Sequence, residues 1–183
     1  MHDDPAPYHI RALLIGLGED PDRDGLKRTP QRVAAAYREM TAGYQLDPAD
    51  ILSTTFDVAY DEMVVVRGIE FWSLCEHHLM PFHGTATVGY LPRERVVGLS
   101  KIGRLVQCFA RRLQVQERMT QQIADAMQEH LNPVGVGVVI HASHTCMAMR
   151  GVKLAGEMVT SSMLGAFRED GRARTEFLAL GGP

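Results

Sequence analysis

The sequence predicts an α+β fold in which helices come first and an antiparallel sheet follows. Apolar residues recur at helical spacing in roughly the first 45 residues, and β-branched, apolar-rich segments begin after about residue 54. The strands come in two pairs, with two helical segments between the pairs. Strands joined by short connections pair antiparallel, so we expect one sheet with helices on one face.

Two helices are predicted near the N-terminus. Ile10, Leu13 and Leu14 lie on one face of the first helix. Thr29-Pro30 is typical of a helix start, because a capping hydroxyl precedes a proline at the first helical position. We therefore predict an N-terminal helical segment over residues 1–50 and a catalytic domain over residues 51–183, together forming one functional unit.

The remainder of the chain contains four predicted strands and three predicted helices. The strands run over residues 63–74, 84–91, 134–140 and 157–161, and the helices over about 100–112, 115–131 and 174–180. Ser100 is predicted to cap the first of these helices, and Asn132-Pro133 to end the second. Loops at strand ends on a rigid scaffold are natural places for ligands.

The composition predicts a cytoplasmic protein that binds neither nucleic acid nor membranes. The net charge of −3 does not favour nucleic-acid binding by bulk electrostatics. No apolar run reaches membrane-spanning length, and the first residues have no signal-peptide features. Three cysteines, an odd number, indicate reduced thiols.

Two short clusters carry the usual ligands of zinc. Cys75 and His78 stand three residues apart in the loop between the first two predicted strands, and Cys146 follows the third predicted strand. Three protein ligands leave a position for water, as in a catalytic zinc site, and His77 and His144 are neighbouring proton-transfer groups. Two alternatives stay open: a buried Cys75 with surface histidines, and a closed structural zinc with His77 or His144 as fourth ligand.

The helix starts carry polar side chains that suit an anionic ligand. Lys101 and Arg104 share one helix face near an N-terminus, which is compatible with a phosphate site or with a solvated surface. Glu117 opens the next helix, where it either stabilises the helix or accepts paired N–H donors. Cys108 is expected to be buried, and His83 and His141 to be packing or surface residues.

These motifs together resemble the GTP cyclohydrolase I family. They are Thr29-Pro30-x-Arg32-Val33, Cys75-Glu76-His77-His78, Gly98-Leu99-Ser100-Lys101, Gln114-Val115-Gln116-Glu117-Arg118, His144-x-Cys146 and Met149-Arg150-Gly151. They occur in the family's order and at compatible spacing from about residue 8 to residue 180. The resemblance implies the tunnelling fold, an antiparallel four-stranded sheet with two helices between strand pairs. It also implies a homodecamer of two pentamers with active sites between subunits.

The resemblance further implies an activity and a role for each site residue. GTP and water would give 7,8-dihydroneopterin triphosphate and formate, the first step of tetrahydrofolate and pterin biosynthesis. Zinc would be held by Cys75, His78 and Cys146. The catalytic residues would be His77, His144 and, near the ribose, Ser100. The substrate-binding residues would be Glu117 and Gln116 at the guanine, and Lys101, Arg104, Arg150 and a neighbouring subunit's Arg32 at the triphosphate.

Two other functions remain as alternatives. The first is a relative on the same fold, the nitrile reductase of deazaguanine synthesis, which uses a cysteine nucleophile and a nicotinamide cofactor. The Cys-x-x-His spacing with a distant cysteine argues against it. The second is a non-enzymatic zinc or redox module in which Cys75 and Cys146 form a disulfide when metal is lost.

Overall fold

The computed structural model describes residues 4–57 and 60–182, and the chain divides into two compact units after Ala42. The first unit contains α1 (Ala6–Gly16) and α2 (Thr29–Met40), which pack against each other. Pro30 lies in the first turn of α2 as expected. The Thr29 cap was wrong, because its hydroxyl donates to the Gly25 carbonyl instead. The predicted domain boundary after residue 50 stays a prediction.

The second unit contains the sheet and most of the helices. A 3-10 turn (Ala42–Gln45) precedes, in chain order, α3 (Pro48–Leu52), β1 (Thr55–Asp57), β2 (Val64–Cys75), β3 (Met80–Leu91), β4 (Arg95–Val97), α4 (Leu99–Ala110), β5 (Leu113–Gln114), α5 (Gln116–Leu131), β6 (Gly135–His144), α6 (Thr145–Ala148), β7 (Glu157–Gly165), α7 (Ala166–Glu169) and α8 (Gly171–Leu180). No helix among the described residues has both the length and the apolarity to cross a lipid bilayer.

The main sheet has the strand order β5-β2-β3-β6-β7. Its four long strands are antiparallel, and α4 and α5 lie between the two strand pairs in sequence, so the predicted α+β plan is confirmed. The two-residue β5 adds a parallel strand beside the end of β2, where Cys75 is paired with Gln114. β1 and β4 form a separate two-stranded sheet. Neither addition was predicted, because such short strands have no readable periodicity.

The core lies between one face of the main sheet and the helices α4 and α5. Ile102, Leu105 and Phe109 recur at helical spacing on α4 and are buried against apolar side chains of the strands. The predicted Ser100 cap was wrong: α4 begins at Leu99, and Gly98 occupies the N-cap position with no side-chain hydrogen bond. This packing holds the N-terminal ends of both helices in fixed positions relative to the sheet.

The opposite face of the sheet is partly covered by α8, contrary to the expectation of helices on one face only. The Phe177 ring lies over Gly89 and Gly137, and a Cβ atom at either glycine would lie 2.7 Å from it. Phe177 also packs edge-to-face on Phe167, with ring centroids 5.2 Å apart. The two glycines therefore create the depression that receives the C-terminal helix.

Candidate active site

Three segments that are distant in sequence meet at one end of the main sheet. The parallel pairing of β5 with the end of β2 places residues 114–118 beside residues 75–78. The Glu76 N–H donates to the Gln114 carbonyl at 3.0 Å and extends this pairing into the loop. The β3–β6 register pairs Phe82 with His144, which brings the end of β6 to the same corner.

A cluster of three potential metal ligands occupies this corner. The ligand atoms of Cys75, His78 and Cys146 all lie within 4.8 Å of one another. The Cys75 Sγ atom is 3.6 Å from His78 Nδ1. A tetrahedral zinc with Zn–S of about 2.3 Å and Zn–N of about 2.05 Å sets its sulfur and nitrogen ligands about 3.6 Å apart. The donor types and this separation therefore fit zinc.

The loop between β2 and β3 presents two of these ligands. The Cys75 carbonyl accepts from the N–H groups of His78 at 3.3 Å and Leu79 at 2.8 Å, which closes a tight turn. Leu79 completes the turn with a φ of 54°, a left-handed conformation that is costly for a branched residue. Such local strain is typical of loops that orient functional groups.

The environment of Cys146 favours its neutral thiol. The pKa of the Cys146 thiol is raised above its ordinary value, first by burial and then by the neighbouring Cys75. Both sulfurs must lose their protons to bind zinc, so metal binding and proton release are coupled at this site. Among the described residues, the cluster of candidate ligands consists of Cys75, His78 and Cys146, and His77 and His144 are not in it.

His144 is held between an aromatic ring and an amide. Its imidazole stacks on the buried Phe82 ring, with centroids 4.6 Å apart and planes 3° from parallel. Its Nε2 atom lies 2.8 Å from Gln116 Oε1. Burial lowers the pKa of His144, and the charge of Glu117 opposes that shift. The ring is therefore neutral near pH 7 and available for proton transfer.

A cleft of about 510 Å³ opens beside the ligand cluster. Its lining consists of Cys75, Glu76, His77, His78, Gln114, Val115, Gln116, Glu117, Arg118, His144 and Cys146. His77 is exposed, and Glu117 is exposed in the first turn of α5. Gln116 is only 1% exposed, and its amide is held by neighbouring protein groups. The cleft thus combines three candidate metal ligands, two further histidines and the exposed carboxylate of Glu117.

Arg118 and Glu76 form one wall of the cleft. The guanidinium donates to both carboxylate oxygens, at 2.6 and 2.7 Å. Hydrogen bonding to Arg118 is the largest cause of the lowered pKa of Glu76. Sequence analysis assigned no role to either residue. Their pairing depends on the two-residue strand β5, which the sequence did not predict. Both residues belong to motifs that resemble the family, Cys75-Glu76-His77-His78 and Gln114-Val115-Gln116-Glu117-Arg118.

The predicted anion-binding residues are divided among different parts of the chain. Arg150 lies at the site, with Nη1 3.3 Å from His78 Nε2. Ser100, Lys101 and Arg104 lie in the first two turns of α4, and none of them belongs to the described lining of the cleft. Arg32 is exposed on α2, in the first compact unit.

The fold and the cleft together define a class of protein. Two thiols and an imidazole at zinc spacing lie beside two histidines and the exposed Glu117 carboxylate. This arrangement is of the kind that metal-binding enzyme sites use. The α+β scaffold holds them at the ends of strands and at a helix N-terminus, where they are fixed by packing.

The chain belongs to the GTP cyclohydrolase I family, whose sequence model matches residues 6–181. A relative from Synechococcus sp. (strain JA-2-3B'a(2-13)) is 57% identical over 173 residues, covering 93% of this chain and 76% of the relative. The relative from Gloeobacter violaceus is 55% identical over 179 residues, covering 97% and 84%. The relative from Rattus norvegicus is 55% identical over 171 residues, covering 92% and 71%.

All three relatives bear the name GTP cyclohydrolase 1. The recognition made from the separated motifs is therefore confirmed. Among solved structures, the apo form of the archaeosine synthase QueF-Like aligns with 57% of this chain and 96% of its own, at 17% identity and a TM-score of 0.46.

Proposed function

We propose that this protein is an enzyme that opens the imidazole ring of the guanine of GTP, releases formate and forms 7,8-dihydroneopterin triphosphate. The observation that carries the proposal is the meeting of the Cys75, His78 and Cys146 ligand set with Glu117 and His144 around one cleft. Membership of the GTP cyclohydrolase I family supports the same reaction.

Zinc is the metal that the donor set fits best. Cys75, His78 and Cys146 would hold it through two sulfurs and one nitrogen, as in three-ligand catalytic sites. When bound there, zinc lowers the pKa of a coordinated water to about 7 and so supplies a nucleophile near neutral pH. The hydrolysis of a C–N bond within a purine needs such a nucleophile, because neutral water is a poor one.

The two histidines would move protons at the purine. His144 is neutral near pH 7, since burial lowers its pKa, and it lines the cleft next to the ligand set. A neutral imidazole takes a proton from one reacting atom and returns it to another as the ring opens. His77 lies in the same lining and is exposed, so it can exchange protons with solvent.

Glu117 would recognise the guanine. A carboxylate accepts two hydrogen bonds at once, and guanine offers a matching pair of donors at N1–H and its 2-amino group. Glu117 projects from the first turn of α5 into the cleft, where the helix N-terminus also stabilises its charge. Gln116 would assist from the adjacent position, where its amide oxygen contacts His144.

The triphosphate would be bound by cations from more than one subunit. Arg150 is beside the ligand cluster and would bind the chain's own substrate. Ser100 would lie at the ribose, and Lys101 and Arg104 would bind the phosphates, joined by Arg32 of a neighbouring subunit. Membership of the GTP cyclohydrolase I family supports a homodecamer of two pentamers with shared active sites.

The proposal places the enzyme in the cytoplasm at the first step of tetrahydrofolate biosynthesis. The cysteines are all free, in keeping with a reducing compartment. One experiment tests the reaction: purified, zinc-loaded protein is incubated with GTP while formate and the fluorescence of oxidised neopterin are measured. We expect both products in equal amounts.

The same incubation separates the alternatives. A nitrile reductase would turn over only with NADPH and a nitrile substrate, and a zinc or redox module would release no formate. If formate and neopterin fluorescence are both absent from protein that retains one zinc per chain, the proposed function is wrong. Turnover that needs no nicotinamide cofactor would exclude the reductase.

A further inference from the structure

We infer that Gln116 is a positioning residue that sets the tautomer of His144, holding the proton on Nε2 and leaving Nδ1 as the nitrogen that exchanges protons with substrate. This inference rests on the proposed function, because it concerns the same reaction. It differs from a direct contact between Gln116 and guanine, since it makes the side chain act through His144.

The orientation of the Gln116 amide follows from its surroundings. Its Nε2 atom lies 2.9 Å from the Met158 carbonyl and 3.1 Å from the Ile140 carbonyl. Backbone carbonyls accept and never donate, so the amide nitrogen must face them. A flipped amide would bring its oxygen against two carbonyl oxygens in a site where the side chain is 1% exposed.

A pair of threonines strengthens the same orientation. The Thr120 hydroxyl donates its one proton to the backbone carbonyl of Gln116 at 2.7 Å. The contact of 2.7 Å between the hydroxyls of Thr120 and Thr160 must then use the proton of Thr160. The Thr160 oxygen is therefore an acceptor for Gln116 Nε2, which lies 3.1 Å away.

With the amide oriented in this way, its oxygen faces His144, so His144 must be the donor in their hydrogen bond. Gln116 Oε1 can only accept, and it lies 2.8 Å from His144 Nε2. His144 must therefore carry a proton on Nε2, and in the neutral ring Nδ1 then has the free lone pair. The stacking of His144 on Phe82 fixes the ring plane. Within that plane, a ring turned by 180° would place a carbon atom instead of Nε2 against Gln116 Oε1 and lose the hydrogen bond.

The mechanistic consequence is that the two nitrogens of the His144 ring have different roles. Nε2 is committed to a buried amide, so proton transfer to or from substrate occurs at Nδ1. Loss of the amide would let the ring populate both tautomers, and the fraction with the productive nitrogen free would fall. Groups that orient a functional histidine in this way contribute roughly 10–100-fold to activity.

The test measures the tautomer directly. Zinc-loaded protein labelled with 15N in its histidine rings is studied by NMR, and the His144 signals are those absent from His144→Asn. The wild type should show a protonated Nε2 and an unprotonated Nδ1. Gln116→Met, similar in length and without hydrogen bonds, should show a tautomer mixture. Its kcat should fall by roughly 10–100-fold, with less change in KM for GTP.

Two further variants keep the inference falsifiable. Gln116→Glu should retain the Nε2–H tautomer, because a protonated carboxyl group can donate to a carbonyl and still accept from His144. Gln121→Met is the matched control on the same helix, since Gln121 is exposed and binds Asp125 and Ser162 instead. It should match the wild type in both tautomer and kcat.

Two results would overturn the inference: a wild-type His144 protonated on Nδ1, or a folded Gln116→Met protein that keeps the wild-type tautomer and kcat. The NMR measurement does not require turnover. A correct tautomer in a protein that releases no formate would thus reject the proposed reaction while leaving the geometry of Gln116 and His144 in place.

Discussion

Arg118 binds both carboxylate oxygens of Glu76, and this pair joins the metal-ligand loop to the helix that carries Glu117. The bidentate geometry fixes direction as well as distance, which a single hydrogen bond does not. The first turn of α5 is thereby oriented relative to Cys75 and His78. The pair is partly exposed to solvent, so its importance lies in geometry more than in stability.

We predict that Arg118→Ala lowers kcat/KM for GTP by about tenfold, as expected for loss of a group that orients catalytic residues. The midpoint of urea unfolding at neutral pH should fall only slightly, because exposed ion pairs contribute little. The double variant Glu76→Arg with Arg118→Glu should recover part of the activity. Equal activities for Arg118→Ala and wild type would show that the pair has no positioning role.

The same pair predicts a pH dependence. Glu76 has a lowered pKa in the folded protein, with hydrogen bonding to Arg118 as the main cause. Its contribution is therefore complete above the ordinary pKa of glutamate, about 4.3, and is lost as the pH falls through the lower folded value. Urea unfolding between pH 6 and pH 3 should show a smaller acid loss of stability in Glu76→Gln than in wild type.

We predict that Cys146→Ser abolishes zinc retention and formate release together. Serine lacks the thiolate that zinc prefers, and the remaining Cys75 and His78 form an incomplete site. Metal analysis after gel filtration and the formate assay check the two effects on one sample. Undiminished turnover with this ligand removed would contradict the ligand assignment.

We predict that metal-free protein forms a disulfide between Cys75 and Cys146 in air. Their sulfurs share one ligand cluster within 4.8 Å, so only a small movement is needed to bring them to bonding distance. Cys108 is fully buried on α4, and burial raises its pKa, so it should remain a free thiol. Mass spectrometry of chelator-treated protein should find the Cys75–Cys146 crosslink, and two free thiols would count against it.

We predict that Glu117→Ala loses at least tenfold in kcat/KM while it retains zinc. Glu76 also lines the cleft, but Arg118 binds both of its carboxylate oxygens, so Glu117 is the carboxylate that can accept both guanine donors. A site left without it cannot orient the purine. Glu129→Ala is the matched control, because Glu129 is an exposed carboxylate on the same helix and lies outside the cleft lining. Similar losses in both variants would reject guanine recognition by Glu117.

We predict that Tyr90→Phe destabilises the fold by about 1–3 kcal/mol, the usual penalty for a buried donor left unpaired. The Tyr90 hydroxyl is buried and accepts from the Val97 N–H at 3.1 Å, and burial raises its pKa. The free energy of unfolding in urea checks the value. Tyr8→Phe, at an exposed tyrosine of the first unit, serves as the comparison.

The elements that sequence analysis predicted are those with strong local signals. The long strands and the helix α5 have clear periodicity, and α5 ends at Asn132-Pro133 as predicted. The left-handed conformation of Asn132 was not predicted. The two helix caps failed for a local reason. The Thr29 hydroxyl had a carbonyl of the preceding turn within reach, and Gly98 took the cap position that Ser100 was expected to occupy.

The residue types of the site were visible in the sequence, but several of their relationships were not. Cys75 and His78 could be paired by spacing, whereas their approach to Cys146 depends on the β3–β6 register. The contact of Gln116 with His144 depends on the same long-range register. Pairings between distant strands leave no local periodicity, so one sequence does not reveal them.

The depression formed by Gly89 and Gly137 has a practical consequence. Gly89 lies nine residues along β3 from Met80, which puts it about 30 Å from the metal-ligand loop. A methyl group at Gly137 would collide with the Phe177 ring and weaken the packing of α8 on the sheet. It would touch no residue of the cleft. The lifetime of the folded chain and the speed of its chemistry can thus be adjusted by separate mutations, one at each end of the same strands.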